Sequence, residues 1–181
     1  MATYVALLRG VNVGGRAQVS MRDLRDAVGA LGYDDVSTYI QSGNVIFRNA
    51  SRSAARIRAE LERAIDEEFG LSVSVILRTP TELDRVVRRN PFLSRRADVA
   101  QLHVALLGKR PSRPALARLE PKRSPPDEFV AIDREIYLRC PNGIGRSKLT
   151  NDYFERQLDT PVTMRNWRTV TELLRLAQAR P

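Results

Sequence analysis

Apolar positions in this chain fall into short runs and helix-spaced sets that alternate in a regular order. Tyr4 to Leu8 is a continuous apolar run, which predicts a buried strand over residues 3–8. Met21, Leu24, Ala27, Val28 and Leu31 then recur at three- and four-residue spacing and predict a helix over about 20–31. Ser20 with Asp23 three residues on resembles a capping box, and Gly32 sits where a left-handed C-terminal residue is wanted. Residues 36–40 and 45–48 read as strands across the turn Gln41-Ser42-Gly43-Asn44. Ile57, Leu61, Ala64, Ile65 and Phe69 share one face of a second helix over about 53–69, closed by Gly70, and residues 72–78 form a fourth strand. This βαββαβ order is the split βαβ, or ferredoxin-like, unit, with two helices over one face of a four-stranded antiparallel sheet. Each of its crossovers is expected to be right-handed.

Thr79-Pro80-Thr81-Glu82 is a helix start, and Leu83, Val86 and Val87 supply an apolar side before Asn90-Pro91 ends it. The second half repeats the scheme more loosely. A strand over 100–107 closes at Gly108, a short helix spans 114–119, and residues 121–126 are a Pro- and Lys/Arg-rich loop. Strands 128–132 and 135–139 pair across Asp133-Arg134. After the loop 141–145 come a helix over 148–158, a strand over 161–164 and a terminal helix over 170–179, with Leu173, Leu174 and Ala177 inward. The expected fold class is α+β: two ferredoxin-like lobes, 1–78 and 99–181, each with an antiparallel sheet covered by helices on one face. A connector helix and linker over 79–98 join them.

Charge changes this picture. The formal net charge is +9, of which residues 1–80 carry +1 and residues 81–181 carry +8. A positive field draws phosphates, nucleic acid or anionic surfaces. It reads equally well as solubility charge, and the preponderance of Arg (27) over Lys (3) fits a bias of genome composition. The single cysteine, Cys140, rules out an internal disulfide. No basic segment precedes a long apolar stretch at the N-terminus, and no run approaches the ~18 apolar residues of a membrane span. The expectation is a cytoplasmic protein with no membrane partner.

Three polar segments stand out. Arg9-Gly10-Val11-Asn12-Val13-Gly14-Gly15 joins a strand to a helix, and Gly14 and Gly15 let backbone N–H groups approach a ligand while Arg9 offers a planar fork for phosphate or carboxylate. It is neither a dinucleotide fingerprint nor a P-loop, and the structural alternative is a positive-φ turn with Arg9 paired to a carboxylate. In the second segment Gln41, Ser42 and Asn44 present amide and hydroxyl groups, against the alternative of a plain hairpin turn. The third has two parts: Ser147 and Lys148 entering one helix, and Arg165 and Asn166 entering the last. A helix start gathers unpaired N–H groups and the positive end of the dipole, although Asn166 or Thr169 serves equally as a cap, with Trp167 as a core anchor. Catalytic sets are missing. His103 is the only histidine, Cys140 has no base near it in sequence, and no zinc-type ligand cluster exists. No cofactor is called for.

Four blocks together, Leu7 to Gly15, Thr38 to Val45, Gly145-Arg146-Ser147-Lys148-Leu149 and Thr163 to Val170, resemble a widespread bacterial family known as domain of unknown function 1697. The likeness spans nearly the whole chain with the blocks in order. It implies two α+β lobes of ferredoxin-like type and brings no activity, substrate, cofactor or catalytic residue. The functional expectation is a binding protein for phosphate-bearing ligands, nucleic acid among them. One alternative is an enzyme acting on a small phosphorylated or acyl metabolite in a cleft between the lobes. There Arg9, Lys148 and Arg165 would neutralise charge while Asn12, Gln41 and Asn166 orient the substrate. Another is a structural or partner-binding protein. The sequence does not indicate a homo-oligomer.

Overall fold

Capping chemistry sets most element boundaries in this computed structural model, which describes residues 1–15, 18–50 and 53–180. The first set of elements is β1 (Ala2–Leu8), α1 (Met21–Ala30), β2 (Asp34–Tyr39), β3 (Asn44–Asn49), α2 (Ala54–Phe69) and β4 (Val75–Arg78). Ser20 and Ser53 cap α1 and α2, their hydroxyls accepting from the N–H groups of Asp23 and Arg56. Gly70 closes α2 at φ 64°, where a side chain would be strained. α3 (Pro80–Arg88) opens with a reciprocal capping box: Thr79 N–H donates to Glu82 Oε2 at 2.8 Å, and Glu82 N–H donates to Thr79 Oγ1 at 3.3 Å.

The second set is β5 (Leu102–Leu107), α4 (Arg113–Ala117), β6 (Glu128–Ile132), β7 (Glu135–Arg139), α5 (Asn151–Leu158) and β8 (Val162–Asn166), followed by α6 (Trp167–Gln178). Two expected boundaries move. The helix expected from residue 148 starts at Asn151, because Lys148 N–H is taken by Ser124 Oγ and Thr150 is the cap, accepting from Tyr153 N–H. The last helix starts earlier than expected, at Trp167, because Asn166 Oδ1 accepts from Thr169 N–H at 2.8 Å. The strand before it accordingly runs through Arg165 to Asn166.

Both sheets are four-stranded and antiparallel throughout, in the orders β2-β3-β1-β4 and β6-β7-β5-β8. That is the split βαβ order in each half. The chain divides into two compact units, residues 1–83 with 173–181, and residues 84–172. The boundary falls inside α3, and α6 begins in the second unit and ends in the first.

Each unit has its own core. In the first, Ala6, Leu8, Val45 and Phe47 meet Leu24, Val28, Ile57, Leu61 and Ile65 of the two helices. In the second, Ala105, Leu107, Ile136 and Leu138 meet Tyr153, Phe154 and Leu158. The other face of each sheet is buried as well: Val5, Leu7 and Ile46 in one, Val104, Leu106 and Tyr137 in the other. Strands hidden on both faces explain why β1 reads as a continuous apolar run from Tyr4 to Leu8, and why β5 does not alternate from Val104 to Leu107.

The registers also correspond. Val5 lies opposite Ile46 on one side and Arg78 on the other. Val104 lies opposite Tyr137 and Arg165 in the same way. Arg78 and Arg165 therefore hold the same station in their sheets. Both are buried, and each donates Nη1 to the carbonyl of the residue before it, Leu77 or Met164, at 2.9 Å.

Candidate functional site

The connection from β1 to α1 and the turn from β2 to β3 meet at one end of the first sheet. Leu8 N–H donates to Gly43 O at 2.8 Å. Asn12, at φ 56°, turns its side chain inward and binds three backbone groups: Nδ2 donates to Val19 O at 2.9 Å and to Gln41 O at 2.7 Å, and Oδ1 accepts from Val19 N–H at 2.8 Å. Gly43 sits so close beneath this junction that a Cβ there would lie 2.9 Å from Leu8 Cβ and 3.3 Å from Val11 Cβ. The positive φ of 72° adds a second reason for glycine.

Above the junction lies a hollow of about 570 Å³ lined by Asn12, Gly15, Gln18, Val19, Ser20 and Gln41. Its wall includes Ser20, the residue that caps α1. Val13 and Ile40, each one residue from a lining residue, are exposed apolar side chains at 63% and 48%. Ile40 is also a β-branched residue at φ 49°, a conformation such side chains rarely adopt.

The structure thus brings Asn12, Gly15 and Gln41 together around one hollow. Gly14 is exposed at φ 62° beside Gly15 without lining it. Arg9 is half-buried and does not line the hollow; its N–H donates to Ser74 O at 2.9 Å. Asn44 is fully buried within the turn, donating Nδ2 to Tyr39 O at 2.9 Å and Ser42 Oγ at 3.0 Å. Both side chains hold the turn itself. Gln18 and Ser20 line the hollow as well: Ser20 stood out in the sequence only as a helix cap, and Gln18, two residues before it, gave no signal.

The remaining sequence candidates belong to the second unit. Ser147 accepts from Leu149 N–H at 3.1 Å, and Lys148 is exposed ahead of α5 rather than in its first turn. Arg165 is on β8, its Nη1 donating to Thr163 Oγ1 at 2.7 Å, and burial pushes its guanidinium down to about 10. Asn166 spends its carbonyl on the α6 cap. Cys140 is fully buried, and burial pushes its thiol up to about 11, with Asp127 adding to the shift and the hydrogen bond with Ser147 opposing it, so the protonated thiol is favoured at neutral pH. Among the described residues no group of His, Cys, Asp and Glu is placed to hold a metal ion, and no helix is long and apolar enough to cross a membrane.

Two split βαβ sheets of the same strand order in one chain, with a loop-built hollow at the end of the first, define an α+β protein of repeated ferredoxin-like architecture. The chain belongs to the family of proteins of unknown function DUF1697, whose profile matches residues 1–137. It is similar in structure to the conserved bacterial protein SP0830 from Streptococcus pneumoniae, with a TM-score of 0.71 and 22% identity over 97% of this chain and 98% of that one. Among curated proteins none matches.

Proposed function

We propose that the first unit binds a small phosphate-bearing metabolite in the hollow between the β1–α1 connection and the β2–β3 turn. The observation that carries this reading is the hollow itself. Its volume of about 570 Å³ falls among small-ligand sites, and it lies against the start of a ten-residue helix. First-turn N–H groups and the helix dipole favour an anion there. Gln18 and Gln41 add amide groups to the wall. Val13 and Ile40 offer apolar surface for the rest of the ligand.

Nucleic acid on a sheet face is the less supported route. Base-stacking on a ferredoxin-like sheet requires an open face carrying aromatic side chains, and Val5, Leu7, Val104 and Leu106 are each 0% exposed.

Titration with inorganic phosphate and with a nucleoside monophosphate, followed by amide NMR shifts, tests the proposal. Saturable shifts concentrated at Gly15, Gln18 and Ser20 are expected, and Gln18→Ala should weaken the nucleotide several-fold. Shifts spread over the molecule, or none at those amides, would sink it.

A further inference from the structure

We infer that the second unit carries a separate contact surface for a nucleic-acid backbone, built from two interlocked loops. Residues 120–127 and 142–148 are joined by two side chains of the first loop that bind the backbone of Lys148 in the second. Lys148 N–H donates to Ser124 Oγ at 3.0 Å, and Arg123 Nε donates to Lys148 O at 3.2 Å. The Arg123 guanidinium lies 4.0 Å from the centre of the Tyr153 ring, which anchors the first loop on α5.

Charge in these loops is sorted. The acids are engaged: Glu120 pairs with Arg123 at 3.1 Å, and Asp127 accepts from Ser124 Oγ at 2.7 Å. Three cations, Lys122, Arg146 and Lys148, are exposed, and among the described residues none of them makes an ion pair. Elsewhere in the unit Arg88, Arg89, Arg95, Arg110, Arg118 and Arg139 are committed to carboxylates, while Arg96, Lys109, Arg113 and Arg168 are exposed without an ion pair among the described residues and lie outside the two braced loops. A braced backbone spares the loops an ordering cost on meeting a ligand, while the three side chains still lose rotamer freedom.

Phosphodiester fits this surface better than protein or lipid does. A protein interface would present an apolar or aromatic anchor, and a membrane surface would receive apolar side chains. The exposed large apolar residues are Met1, Val13, Ile40, Leu93 and Val99, and none lies on either loop. This surface is independent of the hollow in the first unit, so either assignment can fail alone.

The test is fluorescence anisotropy of a labelled oligothymidine strand against the whole protein over a salt series. Three phosphate contacts on a single strand predict a log–log salt slope of about −2. Lys148→Gln, Lys122→Gln and Arg146→Gln should each lower its magnitude by about 0.7, and the triple variant should abolish binding while far-UV circular dichroism stays unchanged. Lys109→Gln, an exposed cation outside the loops, should leave the slope as it is. A slope unmoved by the triple variant overturns the proposal. So does stronger, equally loop-dependent binding to phosphatidylserine vesicles or to a polyglutamate peptide.

Discussion

Arg78 and Arg165 stand at the same place in two sheets of the same strand order, yet the loops elaborated on those sheets lie at opposite ends. In the first unit the long connection follows β1 and meets the β2–β3 turn, where Leu7 pairs with Asn44 at the C-terminal end of β1. In the second unit the turn between β6 and β7 is only Asp133-Arg134. The chain there is spent instead on the connections into β6 and out of β7. Those leave the sheet where Arg139 faces Leu102 and Glu128, at the N-terminal end of β5. One scaffold has been used twice, with polar amides gathered at one end of the first copy and unpaired cations at the other end of the second. A repeated fold therefore does not imply a repeated site.

The largest effect should come from the junction under the hollow. Gly43→Ala adds a Cβ 2.9 Å from Leu8 Cβ at φ 72°. Overpacking and left-handed backbone together should cost about 3 kcal/mol. Gly145→Ala, in the second unit, meets nothing within 4 Å and has no positive φ. It should stay within about 0.5 kcal/mol of wild type. Urea midpoints, with amide exchange to locate the loss, would show it confined to the first unit. Equal losses in both variants would break the contrast between the two ends.

Next come the paired arginines. Arg78→Ala and Arg165→Ala each remove a long buried side chain whose Nη1 satisfies a backbone carbonyl. Each should lose about 2 kcal/mol from the cavity and the orphaned acceptor. Similar losses in the two variants would support the equivalence read from the register. A harmless variant at either site would show that the two copies have diverged inside the sheet as well.

A smaller effect distinguishes the units by pH. His103, the chain's one histidine, is 8% exposed on β5, on the same face as Ala105 and Leu107. Burial lowers its pKa below the ordinary value, and a hydrogen bond with the Gln101 backbone opposes this. The unfolded chain then binds the proton more readily than the folded one. Stability is full above about pH 6.5 and falls as pH drops toward the depressed folded value, with a slope of at most about 1.4 kcal/mol per pH unit. His103→Leu should flatten that slope in urea titrations between neutral and mildly acid pH. An unchanged slope would point to carboxylates instead.

Much of this was legible in the sequence because it is local. The Thr79–Glu82 box, the Ser20 cap and the hairpin at 128–132 and 135–139 follow from spacing alone. The hollow was half legible. Asn12 and Gln41 stood out by residue type, but their meeting depends on the Leu7–Asn44 register, a tertiary fact. Arg165 looked like a loop residue before a helix. Its place on a strand came from Asn166 capping α6, which let β8 run on and turned the guanidinium into the buried face. The link between residues 123–124 and 148 spans two loops that no periodicity connects.

The finest test compares two helix starts. Asp23, the third residue of α1, is the acid in its first turn, and Asp152, the second residue of α5, is the acid in that helix's first turn. If the α1 end receives an anion, Asp23 competes with it for the same dipole and first-turn N–H groups. Removing one such carboxylate relieves about 0.3–1 kcal/mol of repulsion. Asp23→Asn should therefore tighten phosphate or nucleotide binding in the hollow about two- to fivefold at low salt. Asp152→Asn belongs to the other unit and should leave that affinity alone. Isothermal titration of both variants decides between a hollow that uses the α1 dipole and one that holds its ligand by side-chain amides alone, for which neither substitution would matter.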